Sequence, residues 1–263
     1  MPLSNRRFGT DILLLSVFLF APLAARGTEH LTAEQVRAAV AAAPPGRVDF
    51  SSKDLSGTDL TGVDLSGAKL IHTDLSGANL HGVKLVGANL TDADLTRADL
   101  TFAWFIRANF THADLRGATL QTIVTSAGMD NTPDQAATFA DANLSGASIT
   151  VHFSFYDMRK ANFSRAQMTV VMANQSMGLL RTEFIGSNLD GANFQGAGLG
   201  HVTFRFAKLR GASFRGADLS DADFTGAYLS DADFTGANIT GTTFDSATLT
   251  GARGLDRPKT HRQ

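Results

Sequence analysis

The chain has no cysteine, one tryptophan, two tyrosines and six prolines in 263 residues. Without cysteine there is no disulfide to staple a fold, no thiolate metal site and no acceptor for a lipid anchor. Long hydrophobic runs are lacking too. The leading apolar stretch, residues 12–25, is shorter than the roughly 20 residues a membrane-spanning helix needs. Charge of one sign is also missing: the formal net charge is −2 at pH 7, which favours neither nucleic acid nor an anionic lipid surface as a partner. No nucleophile–base pair, metal-ligand spacing or phosphate-cradling loop is present, so catalysis, cofactors and a small-molecule substrate are not expected.

What is present begins with a leader. Arg6 and Arg7 precede an apolar core over 12–20, and small residues follow at Ala24, Ala25 and Gly27. Residues 1–27 are therefore expected to be a signal peptide cut after Ala25 or Gly27, placing the mature protein in the periplasm or outside the cell. The alternative is an uncleaved leader that anchors it to the inner membrane.

From Phe50 onward an apolar residue falls at every fifth position: Leu55, Leu60, Leu65, Leu70 and so on to Leu120. A small residue such as Ala68, Ala78 or Ala88 sits two places before each centre, and a short polar one such as Asp64 or Asn79 just before it. A period of five fits neither a helix nor a flat strand. It fits a coil that turns a corner every five residues, buries the centre and the small residue, and stacks on its neighbours. The pattern resembles the pentapeptide-repeat family over about 49–252. The resemblance implies an all-β, right-handed quadrilateral β-helix.

The centres themselves argue for four sides. From Leu179 they alternate Leu and Phe: Phe184, Leu189, Phe194, Leu199, Phe204, Leu209. Size-matched columns leave the fewest voids, and only a twenty-residue coil sets Phe over Phe. The register slips near 121–138 and 169–177, where excursions are expected. Residues 28–48 read as an N-terminal capping helix and linker. Thr32 and Gln35 form a capping box, Leu31, Val36 and Val40 face the first coil, and Pro44 and Pro45 end the helix. Residues 253–263 read as a flexible basic tail, with Gly254 and Leu255 against the last coil.

Three clusters compete as sites. Asp54, Asp74, Asp94 and Asp114 stand twenty apart and are expected in one column, about 4.8 Å per step. The column is either an anionic strip with mutually raised pKa values or a by-product of aspartates that bind their own corners. His72, Asp92 and His112 share another column, but parallel side chains on a flat wall do not converge, so no metal site is expected. Phe102, Trp104 and Ile106 take outward positions, with Val86 one coil below Ile106. This apolar patch receives either the excursion after Leu120 or a partner.

The resulting expectation is a non-catalytic binding or structural scaffold whose partner is another protein or an envelope component. Membrane contact is expected only through an uncleaved leader. The resemblance implies an alternative: some family members mimic duplex DNA, bind gyrase and confer resistance to topoisomerase poisons. Those are cytoplasmic and more acidic.

Overall fold

A computed structural model of the chain describes residues 29–44, 46–121, 132–168 and 181–255. The expected leader (1–27) and the tail beyond 255 lie outside the described residues. Within them the five-residue period becomes a stack of coils. Every bridge between coils is parallel, and in the regular part its partners are twenty apart: Asp54 with Asp74, Asp74 with Asp94, Asp59 with Asn79. Each bridge carries two backbone bonds, as where Leu55 donates to the Asp74 carbonyl (2.7 Å) and Asp74 donates to that of Lys53 (3.0 Å).

The local chemistry of the repeat explains the corners. A two-residue turn follows each centre, and its second residue lies in the left-handed region, as at Gly57 (φ 61°) and His72 (φ 54°). Where an Asp or Asn precedes the centre it holds the turn: Asp54 Oδ1 accepts from the Ser56 amide at 2.9 Å, and Asn89 Oδ1 from that of Thr91 at 3.1 Å. Short Asp and Asn side chains suit this two-residue reach. That is why the repeat carries them there.

Runs beginning at Asp54, Asp59 and Asp64 start the first three walls, and the run from Asp49 through Lys69 forms the fourth. The centres and alanines of all four fill one continuous core, most of them fully buried. The Phe/Leu alternation resolves as anticipated. Phe184 stacks on Phe204 at 5.1 Å and Phe204 on Phe224 at 4.7 Å in the third wall, while Phe194 stacks on Phe214 at 5.0 Å in the first. The two stacks meet edge to face, as Phe194 and Phe204 do at 5.5 Å and 83°. Such offset and T-shaped pairs add to plain area burial.

The first coil would leave carbonyls without an earlier coil to serve. Helix α1 (Ala33–Ala42) and the residues before it lie there. Its capping box forms, Thr32 Oγ1 accepting from the Gln35 amide and Gln35 Oε1 from the Thr32 amide. Val36 is fully buried, and Leu31 and Val40 pack beside it. Leu31 donates to the Asp54 carbonyl, and the Arg37 guanidinium reaches those of Asp59 and Thr61. Pro45 lies outside the described residues. At the far end Leu255 packs on the core, and Gly254 comes so close that a Cβ there would lie 2.3 Å from the Thr235 nitrogen.

Three departures from the period sit at one corner. Strand β1 (Thr119–Gln121) pairs with β2 (Ser148–Thr150), so the chain takes more than twenty residues between them. Ser148 then pairs with Gln167, one residue short of the usual coil, and Gln167 with Gly198, well beyond it. All three fall where the second wall hands over to the third, in consecutive coils. The expected break over 121–138 is thus partly structure: residues 122–131 lie outside the described set, but Pro133–Gln135 is a 3-10 turn and Thr138 is back in a bridge. The whole of the second break, 169–177, lies outside it.

Candidate functional site

The anticipated Asp column exists: Asp54, Asp74, Asp94 and Asp114 bridge in series on the first wall. Each member binds its own corner. Asp54 has its pKa lowered, not raised, chiefly by the Ser56 hydroxyl, then by the Ser56 amide and His30. Each of the other three likewise accepts from the amide two residues on: Ser76 at 2.9 Å, Thr96 at 2.8 Å, Arg116 at 3.1 Å. Cations cover both ends, with His30 Nδ1 3.3 Å from Asp54 and Arg116 gripping Asp114 at 2.7–2.9 Å. At Asp54 the hydrogen bonds to the charged form outweigh the effect of burial.

His72, Asp92 and His112 also line up, and the column runs on to Asp141. Asp92 lies 3.9 Å from His72 Nδ1 and 3.3 Å from His112 Nδ1, and His112 Nε2 lies 4.0 Å from Asp141. Successive pairs touch, but no three groups converge on a point. Among the described residues no cluster of three such ligands is placed to hold a metal.

The apolar patch is drawn differently from the sequence reading. Phe102 is 49% exposed and Trp104 37%, but Ile106 is only 5% exposed and Val86 is half-buried. Ile106 is therefore not a surface residue. Arg107, beside it, donates to the Gln135 carbonyl at 3.0 Å, so the returning segment lies against this turn. Phe102 meets His81 edge to face at 5.2 Å, and the Lys84 ammonium sits 5.8 Å from the Trp104 ring.

Two further aromatics were not singled out from the sequence. Phe155 (41% exposed) and Phe206 (54%) occupy the corner that closes the third wall. With Phe102 they are the aromatic residues found at left-handed turn positions, φ 67°, 57° and 58°. A bulky side chain there is an outlier that costs roughly 1–3 kcal/mol. Glycines one coil up accommodate the rings. A Cβ on Gly186 would strike Phe155 at 2.9 Å, and one on Gly226 would strike Phe206 at 2.6 Å. The signal was legible: an aromatic where the repeat places Gly or a polar residue. Tyr228 (55% exposed) extends this edge onto the fourth wall.

The third wall thus carries Trp104, with Phe102 at its leading corner and Phe155 and Phe206 at its trailing one. The three irregular crossings enter it from the second wall. Arg181 pairs with Glu183 at 2.8 Å and the Arg205 guanidinium stands 5.8 Å from the Phe206 ring, giving the apolar edge a charged border. Among the described residues no helix is long and apolar enough to cross a membrane.

The five-residue repeat is matched by known family models. The family described as pentapeptide repeats matches in eight copies over residues 47–82, 73–111 and 93–121, and the pentapeptide repeat region family matches 177–253. No curated protein matches. Among solved structures, HetL is similar at 28% identity over 85% of this chain and 97% of its own, with a TM-score of 0.41. HetL is a pentapeptide repeat protein involved in heterocyst differentiation regulation in the cyanobacterium Nostoc sp. strain PCC 7120. A trypsin-treated form of QnrB1, a plasmid-mediated fluoroquinolone resistance protein, is 19% identical over 78% of this chain and 90% of its own, with a TM-score of 0.38. A pentapeptide repeat protein of the Arabidopsis thaliana thylakoid lumen is 27% identical, with 60% and 68% covered and a TM-score of 0.16.

Proposed function

Since the chain belongs to the pentapeptide-repeat family, we propose that it is an exported, non-catalytic scaffold that binds a protein partner on its third wall. In this reading it is a right-handed quadrilateral tower capped by α1, and the partner lies across Trp104, Phe155, Phe206 and the corner before them. One observation carries the proposal: exposed aromatics, two of them in strained turns, coincide with all three register breaks on a single wall. Exposed apolar clusters mark contact surfaces, aromatic anchors dominate binding energy, and strain persists where function holds it.

The test uses Phe155→Asn and Phe206→Asn together, because Asn tolerates the left-handed turn. Capture of the partner from an envelope extract should fall at least about tenfold, as for a lost hot spot. Arg97→Asn, at the corner closing the first wall, should leave capture unchanged. Equal capture by the double variant would overturn the assignment. Export is tested by N-terminal sequencing of the fractionated protein, expected to begin at residue 26 or 28 outside the cytoplasm. A full-length cytoplasmic product would contradict export and favour the gyrase-binding alternative, which a supercoiling assay then decides.

A further inference from the structure

A hollow of about 400 Å³ opens on the first wall, opposite the aromatic one. It arises where two coils carry short side chains, Ser145, Gly146 and Ser164, between long ones. Arg116 lies below and Arg165 and Gln195 above. The Asp column of this wall ends at Asp114; its next members are Asn143, Asn162 and Asn193.

The groups facing the hollow are unequally committed. The asparagines form a ladder, Asn162 Nδ2 donating to Asn143 Oδ1 at 3.1 Å and Asn193 Nδ2 to Asn162 Oδ1 at 3.2 Å. Asn143, Asn162 and Asn193 Oδ1 also accept from the amides of Ser145, Ser164 and Gln195. Their acceptors are therefore engaged. Among the described residues the uncommitted groups are donors: the Ser145 and Ser164 hydroxyls, the Gln195 side-chain carboxamide and the Arg165 guanidinium, which makes no ion pair there. Arg116 is held in a fixed orientation by Asp114. Two guanidiniums against one carboxylate leave the hollow with a positive excess and a hydroxyl-lined floor.

We propose that this hollow binds a phosphate or sulfate group, free or carried on a small molecule. Arg165 is the principal contact, the two serines and Gln195 supply neutral donors, and Arg116 closes the lower rim. Planar guanidiniums and hydroxyl donors suit a tetrahedral oxyanion, and the volume suits a hexose phosphate better than the bare ion.

The experiment titrates the full chain with inorganic phosphate, glucose 6-phosphate and glucose while following backbone amide shifts in ¹H–¹⁵N spectra. Saturable shifts at Ser145, Ser164 and Gln195 are expected with both phosphates and none with glucose. Tighter binding of glucose 6-phosphate than of phosphate identifies a carried group, and equal binding the free anion. Arg165→Asn should weaken saturation at least about tenfold. Arg97→Asn, the same turn position outside the hollow, should not. Shifts that grow without saturation, or that survive Arg165→Asn, would overturn the proposal. An unchanged thermal midpoint in Arg165→Asn separates lost binding from lost folding.

Discussion

At many corners of the tower a single side chain holds the turn. The Asp or Asn before the centre binds the amide two residues on, so Asp74→Asn keeps the turn and Asp74→Ala leaves the Ser76 amide without its acceptor. The alanine variant is expected to be about 1 kcal/mol less stable in urea unfolding and the asparagine variant close to wild type. This preference was readable in the repeat. The lowered pKa of Asp54 was not, because counting carboxylates says nothing of the donors that face them. Asp49, Asp54, Asp59, Asp64, Asp218 and Asp233 all have lowered pKa values, led by hydrogen bonds from the residue two places on. Folded carboxyls of lowered pKa bind fewer protons than unfolded ones. Their stabilisation is therefore full above about pH 4 and is lost as pH falls through the lower folded values. The melting temperature should hold from pH 7 to about 5 and drop steadily below about 4. A midpoint that stays flat to pH 2 would contradict these bonds.

Helix α1 and the phenylalanine stacks could both be read from the residues and their spacing. The capping box at Thr32 and Gln35 and the buried Val36 lie where the residues implied. Arg37 was not foreseen. Its two carbonyl acceptors, Asp59 and Thr61, come into reach only once the first coil has closed. Val36→Asp should prevent stable folding of the early coils, since it buries an unpaired charge. In the stacks, Phe204 has Phe184 below, Phe224 above and Phe194 and Phe214 across the core. Phe204→Ala is expected to cost about 3–5 kcal/mol. Phe204→Leu should cost less, because it leaves a smaller void. Equal loss in the two variants would mean that column matching does not set the packing.

On the scale of the whole molecule, what separates this tower from a uniform rod is that its irregularities share one wall. A linear reading sees two breaks and a four-residue step at Ile149–Phe153 as unrelated. Only the closed coil shows that they stack. The same folding covers the outward-placed Ile106 and brings Phe155 and Phe206 into one column with Gly186 and Gly226. Aromatics at left-handed turns destabilise by roughly 1–3 kcal/mol. Phe206→Asn should therefore raise or preserve the melting temperature while weakening partner capture, the pattern of a residue kept for function. The most direct test places a photo-crosslinking phenylalanine at position 206 on the third wall, and in separate proteins at 195 on the first and 220 on the second, in producing cells. The account predicts one discrete crosslinked partner from position 206 and none from the other two. Crosslinks of equal yield from all three positions, or from 195 or 220 alone, would contradict it.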